Sequence, residues 1–106
     1  MDEKLIERIR SFTKDRNWSQ FHTGENLAKS INIEAGELLE LFQWDSNLKE
    51  LDDLKDELAD VLIYSILLAD KYNLNISDII NEKISKNEEK YPVKQAYGNS
   101  KKYNEF

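Results

Sequence analysis

Four carboxylates carry the chemistry that this chain could perform. Glu34 and Glu37 stand three residues apart, and further along Glu57 and Asp60 repeat the spacing. Helical residues three apart share one face, so each pair projects from one side of its own helix. Antiparallel packing of those helices would bring both pairs together. Glu34 interrupts an apolar stripe, and Asp60 is the only charged residue after Leu58 and before Lys71 apart from Asp70. A buried carboxylate is costly unless it is paired or bound to a cation. From Glu25 to Asp70 the only bases are Lys29, Lys49 and Lys55, too few to neutralise four converging acids. A divalent cation is then the simplest counter-charge, and oxygen-only ligands suit a hard ion such as Mg²⁺ or Mn²⁺. A carboxylate-bridged di-iron bundle needs helical histidines, and none is present on a predicted helix. The spacing alone also allows these acids to sit at a solvated helix edge, or to pair with bases of a fourth helix.

The elements that must position these acids follow from apolar periodicity. Leu5, Ile6, Ile9 and Phe12 predict a helix over about 2–16, with acids at its start and Lys14 and Arg16 at its end, as the helix dipole favours. Residues 17–24 read as a connection that holds Trp18, Phe21 and the only histidine, His22, and that ends on Thr23 as an N-cap. Leu27, Ile31, Leu38 and Leu41 mark the stripe of a second helix over about 25–43, and Glu34 lies on that stripe. After the polar break Asp45-Ser46-Asn47, the run from Leu51 through Leu68 traces a third helix, 47–71 with its cap. Ile76, Ile79, Ile80 and Ile84 define a fourth over 76–90, checked by Tyr91-Pro92. Residues 92–106 have little pattern and are expected to form an irregular, extended tail.

Length and composition bound the rest. A chain of 106 residues and 12.5 kDa has room for one core, so residues 1–106 are expected to form a single all-α, four-helix bundle-like domain. With 40% hydrophobic and 34% charged residues, three glycines and one proline, it is too apolar for disorder and too poor in turn residues for a many-stranded β fold. A net charge of −6 argues against a nucleic-acid polymer or an anionic membrane as partner. That charge is local: ten acids and two lysines give residues 34–60 a net of −8, and the remainder is slightly basic. The absence of cysteine removes thiolate chemistry and fits an intracellular protein. With no secretory-type apolar region at the start and no run near the roughly 18 apolar residues of a membrane span, a cytoplasmic location is expected.

Glu34-Ala35-Gly36-Glu37-Leu38 with Phe42-Gln43-Trp44, then Asp56-Glu57-Leu58-Ala59-Asp60-Val61-Leu62-Ile63-Tyr64, resembles the MazG-like nucleoside triphosphate pyrophosphohydrolases of the all-α superfamily. Trp18-Ser19-Gln20-Phe21-His22 before Asn26-Leu27 resembles the dCTP pyrophosphatase branch, as do Lys83, Asn87, Lys90, Tyr91 and Pro92, and Lys102-Tyr103 in the tail. Gly24 and Glu25 depart from it, standing where many of its members have proline and a base.

The resemblance implies that Glu34, Glu37, Glu57 and Asp60 are both catalytic residues and ligands of Mg²⁺. It implies further that Trp18, His22, Trp44 and Tyr64 hold the nucleotide, and that Lys83, Asn87 and Lys90 contact the triphosphate. The physics of the residue types agrees, because tryptophan and tyrosine rings stack on a base and the amino groups of lysine bind phosphate. The implied activity is Mg²⁺-dependent hydrolysis of (deoxy)nucleoside triphosphates to monophosphate and pyrophosphate, a house-cleaning of the nucleotide pool. The implied assembly is a homodimer or homotetramer. The alternative is a non-catalytic helical interaction module, or a nucleotide sensor with a metal site.

Overall fold

The computed structural model describes residues 3–48 and 50–98. Its elements in order are α1 (Glu3–Asp15), a 3₁₀ turn (Ser19–Phe21), α2 (Gly24–Glu40), α3 (Leu51–Lys71), α4 (Ile76–Lys90) and the short α5 (Val93–Ala96). No strand occurs among the described residues, and the fold is all-α as expected. Among them no helix is long and apolar enough to cross a membrane.

The chain divides into two compact units, residues 1–74 and 75–106. In the first, α2 packs along α3, and α1 packs on α3 more lightly. Ile9 and Thr13 of α1, Leu27 of α2, and Ile66 and Ala69 of α3 are its buried residues, with Leu27 the most enclosed. Arg10 of α1 forks onto Asp70 of α3, donating from Nε to Oδ1 and Oδ2 at 3.0 and 3.1 Å and from Nη2 to Oδ1 at 2.6 Å. Its other arm reaches Glu7, so α1 is tied to the end of α3 by a charged clasp as well as by apolar packing. A wide apolar surface stays open beside the core: Leu5, Phe12, Leu58, Leu62 and Ile63 are between 38% and 49% exposed.

The helix ends are built from particular residues. Thr23 caps α2 as expected, its hydroxyl accepting from Asn26 N–H at 3.1 Å. Both α1 and α3 close through a left-handed asparagine, Asn17 at φ 54° and Asn73 at φ 57°. The N–H of the next residue then turns back five positions, Trp18 to Thr13 O at 3.0 Å and Leu74 to Ala69 O at 2.9 Å. Asparagine tolerates this conformation better than residues with larger or branched side chains. Asn73→Ala is therefore expected to destabilise the fold by about 1 kcal/mol, while Asn73→Gly leaves stability equal or higher in urea unfolding.

Three expectations need correction. The second helix ends at Glu40, not 43, because Leu41, Phe42 and Gln43 each bond back three positions, tightening the chain into successive turns. The third starts at Leu51 and not near 47, since the Asp45 carboxylate accepts from Asn47 N–H at 2.9 Å and closes a local turn instead of capping a helix. The tail is not wholly irregular: Pro92 leads into α5. In the second unit Asn75 caps α4 by accepting from Asp78 N–H at 3.0 Å. Lys102-Tyr103 lies outside the described residues.

Two glycines differ in meaning. A side chain on Gly24 would meet the hydroxyl end of Tyr72, so glycine leaves room for that ring over the start of α2. Gly36, between Glu34 and Glu37 in the interior of α2, has open space where a Cβ would stand. Gly36→Ala is expected to raise stability by about 0.5–1 kcal/mol, read as a higher urea midpoint at unchanged slope.

Candidate functional site

Glu34 and Glu37 on α2 face Glu57 on α3. One oxygen from each of these three carboxylates lies within 4.8 Å of the others, so the antiparallel approach read from the spacing is realised for three of the four acids. Asp60 does not join that tight group, yet its charge is felt by both Glu34 and Glu57.

The electrostatics are those of like charges held together at a partly covered face, with Glu34 and Glu57 half-buried and Glu37 exposed. Burial, then the hydrogen bond and charge of Glu37, then the charges of Asp60 and Glu57, push the Glu34 carboxyl up to about 7. Glu57 is pushed up by burial first, then by Glu37, and then by the charges of Asp60 and Asp56. Oε2 of Glu34 and Oε2 of Glu57 are buried and have no hydrogen-bond donor. No cation of the chain relieves this among the described residues: Lys29 pairs with Glu25 at 3.2 Å and Lys55 with Asp52 at 3.8 Å. A solvated helix edge would leave no orphaned oxygens. Three carboxylates with two undonated buried oxygens fit a hard divalent cation.

A hollow of about 660 Å³ opens in the same unit, between α1, α3 and the segment that joins α1 to α2. Trp18, His22 and Tyr64, all singled out from the sequence, line it together with the apolar residues Leu5, Phe12 and Leu62. Its size and mostly apolar wall suit the flat ring of a small organic ligand. His22 also borders a second, more polar hollow of about 320 Å³ with Lys14 and Lys71.

The remaining candidates are placed elsewhere. Trp44 lies in a bend after α2, 90% exposed, and is not among the residues lining either hollow. Lys83, Asn87 and Lys90 follow one another along α4 at steps of four and three, within the second unit; Asn87 is half-buried and its carbonyl accepts from Tyr91 N–H at 2.8 Å. Residues not singled out beforehand also border the large hollow, Arg8 and Ile63 among them. The recurrence of Leu5, Ile9 and Phe12 already marked that face of α1, but as core, not as the wall of a cavity.

Comparison with known proteins places this arrangement in a family. The profile of the MazG-like family matches residues 29–106, a segment that contains all four acids. Across 98% of its length the chain is 36% identical to dCTP pyrophosphatase 1 of Mus musculus and 35% identical to that of Homo sapiens, spanning 69% of each. Among solved structures it is similar to a pyrophosphatase from Archaeoglobus fulgidus, with a TM-score of 0.76 and 40% identity over 85% of this chain and 91% of that one. From the carboxylates gathered between α2 and α3 to the near full-length match with pyrophosphatases, these findings agree that the chain belongs to the MazG-like family.

Proposed function

We propose that this protein hydrolyses (deoxy)nucleoside triphosphates to the monophosphate and pyrophosphate, using Mg²⁺ or in its place Mn²⁺, and so clears unwanted nucleotides from the cytoplasmic pool. As a member of its family it is a nucleoside triphosphate pyrophosphohydrolase, and dCTP, for which its relatives are named, is the first substrate to test. The observation that carries the metal requirement is the convergence of Glu34, Glu37 and Glu57 with two buried oxygens that no donor satisfies.

Glu34, Glu37, Glu57 and Asp60 are the residues that would hold the ion. When bound, a divalent ion supplies neutralisation of phosphate charge and Lewis-acid polarisation of the phosphoryl group. Trp18 and Tyr64 offer rings, and His22 a polar edge, to the base in the large hollow. Lys83, Asn87 and Lys90 are donors for the triphosphate, with Trp44 a further candidate contact for the nucleotide. Water is the attacking group in this reading, and the chain has no cysteine to supply a thiolate in its place. Its oxygen bonds to the α-phosphorus as its proton passes to solvent, the bond from that phosphorus to the α–β bridging oxygen breaks, and pyrophosphate leaves.

A panel of canonical and modified dNTPs and NTPs with Mg²⁺ tests this directly. The expected products are monophosphate and pyrophosphate in equal amounts; orthophosphate without pyrophosphate would mean that a different bond is cut. Exposed apolar residues outside the lining of the hollow, Leu39, Leu51 and Leu58, support self-association, the usual way for a small chain to cover such side chains. Light scattering is expected to give two or four times the chain mass of 12.5 kDa, and a monomer at micromolar concentration would reject that part of the proposal.

A further inference from the structure

The indole of Trp18 does not stand alone in the wall of the large hollow. Its ring meets that of Phe12 nearly at right angles, with centroids 5.6 Å apart and an interplanar angle of 77°. One turn further on, the guanidinium of Arg16 lies 3.8 Å above the Phe12 ring. The same Arg16 donates from Nη1 to the Phe12 carbonyl at 3.1 Å. Guanidinium, phenyl ring and indole thus form a continuous series across the end of α1.

We infer that Arg16 and Phe12 are positioning residues that fix the indole of Trp18 in the wall of the hollow and thereby set how tightly a nucleobase is held. This rests on the reading of the hollow as the seat of the base. The backbone of Trp18 is fixed by the left-handed turn at Asn17 and by its N–H bond to Thr13 O, but that leaves the side-chain torsions free. Phe12 supplies the missing restraint. It is itself 49% exposed and would be free to change rotamer, were its ring not covered by Arg16. A contact near 77° also leaves at least one face of the indole uncovered by Phe12, and that face can take a second ring.

Arginine suits this task in a way that lysine does not. A planar guanidinium can stack on a ring and donate in its own plane to a carbonyl at the same time, whereas an ammonium is a point charge on a flexible stem. An arginine just past the end of a helix is ordinarily explained by the helix dipole and the free carbonyls. That explanation accounts for the bond to Phe12 O and would be met equally by lysine; it does not account for the stacked ring.

The test is steady-state kinetics on Arg16→Lys, Phe12→Leu, Phe12→Tyr and Trp18→Ala, with whichever triphosphate of the panel is turned over fastest. Near-UV circular dichroism is recorded alongside, and because Trp44 is 90% exposed the tryptophan band reports mainly on Trp18. In Arg16→Lys and Phe12→Leu, KM is expected to rise three- to tenfold with kcat within twofold of the parent, and the band to weaken. Phe12→Tyr, which keeps the ring, is expected to restore both KM and the band. An unchanged KM and band in Arg16→Lys and Phe12→Leu, beside a raised KM in Trp18→Ala, would overturn the positioning role alone. An unchanged KM in Trp18→Ala would overturn the base-holding role of the hollow and this inference together with it.

Discussion

Glu34→Gln and Glu57→Gln proteins are expected to lose pyrophosphate release by about a thousandfold while melting higher, not lower, than the parent in metal-free buffer. A thousandfold loss corresponds to ~4 kcal/mol of transition-state stabilisation, within the several kcal/mol that a bound cation contributes at an anionic phosphoryl group. The stability change has the opposite sign because the metal-free fold confines carboxylates that repel one another and that keep two oxygens without a donor. An amide of the same shape removes a charge and adds a donor for the neighbouring Glu37. A gain of even 1 kcal/mol raises the midpoint of a domain this size by about 4–8 °C. Added Mg²⁺ or Mn²⁺ should lift the melting point of the parent and barely move that of the variants. Turnover that survives both substitutions would refute the site, and a collapse of the melting point in both would make these residues structural.

The second large effect is a pH dependence that disappears when metal is added. The folded Glu34 carboxyl sits at about 7, above the ordinary glutamate value, so between these limits the folded chain binds more protons than the unfolded one. Stability of the metal-free protein from this group is therefore full below the unfolded value, falls as the pH rises toward 7, and is level beyond it. The slope for one proton is at most about 1.4 kcal/mol per pH unit and is reduced by solvent screening, and Glu57 is raised in the same direction. Cation binding requires the ionised form and expels the proton, so apparent Mg²⁺ affinity should climb about tenfold per unit up to 7 and then level. Melting curves from pH 5 to 8.5 with chelator and with saturating Mg²⁺ check this: the chelated series should decline up to about pH 7 and the Mg²⁺ series should stay nearly level, because the gain in affinity offsets the loss of metal-free stability. Parallel series would show that Glu34 is not coupled to the ion.

Much of this was legible in the residues. The bodies of α1, α2, α3 and α4 follow from apolar spacing, and Thr23 and Tyr91-Pro92 act as the cap and stop that their chemistry dictates. What could not be read was how residues 41–50 use their hydrogen bonds. Leu41 and Phe42 continue the apolar rhythm of a helix, and only the bonds back three positions reveal that the helix has ended. Asp45 is an excellent cap by type, but a carboxylate caps whichever backbone N–H is nearest, and here that belongs to Asn47. Of the acids, Glu34, Glu37 and Glu57 meet as their spacing requires, while the looser place of Asp60 depends on the roll of α3 against α2, which periodicity fixes only coarsely. The Arg16, Phe12 and Trp18 series was invisible because it joins a helix to the irregular turn after it.

The converging acids come from two helices adjacent in the chain, joined only by residues 41–50. Bringing Glu34 to Glu57 closes a loop of 23 residues, and the entropy of such closure grows only slowly with length. The α2–α3 hairpin can therefore dock early in folding, before α1 is clasped to Asp70, and the ion's binding place exists as soon as it does. A cation present during refolding should then accelerate the folding arm of the chevron as well as slow the unfolding arm, whereas a ligand of the finished structure would slow unfolding alone. The centre proposed for hydrolysis would double as the nucleus around which this small protein assembles.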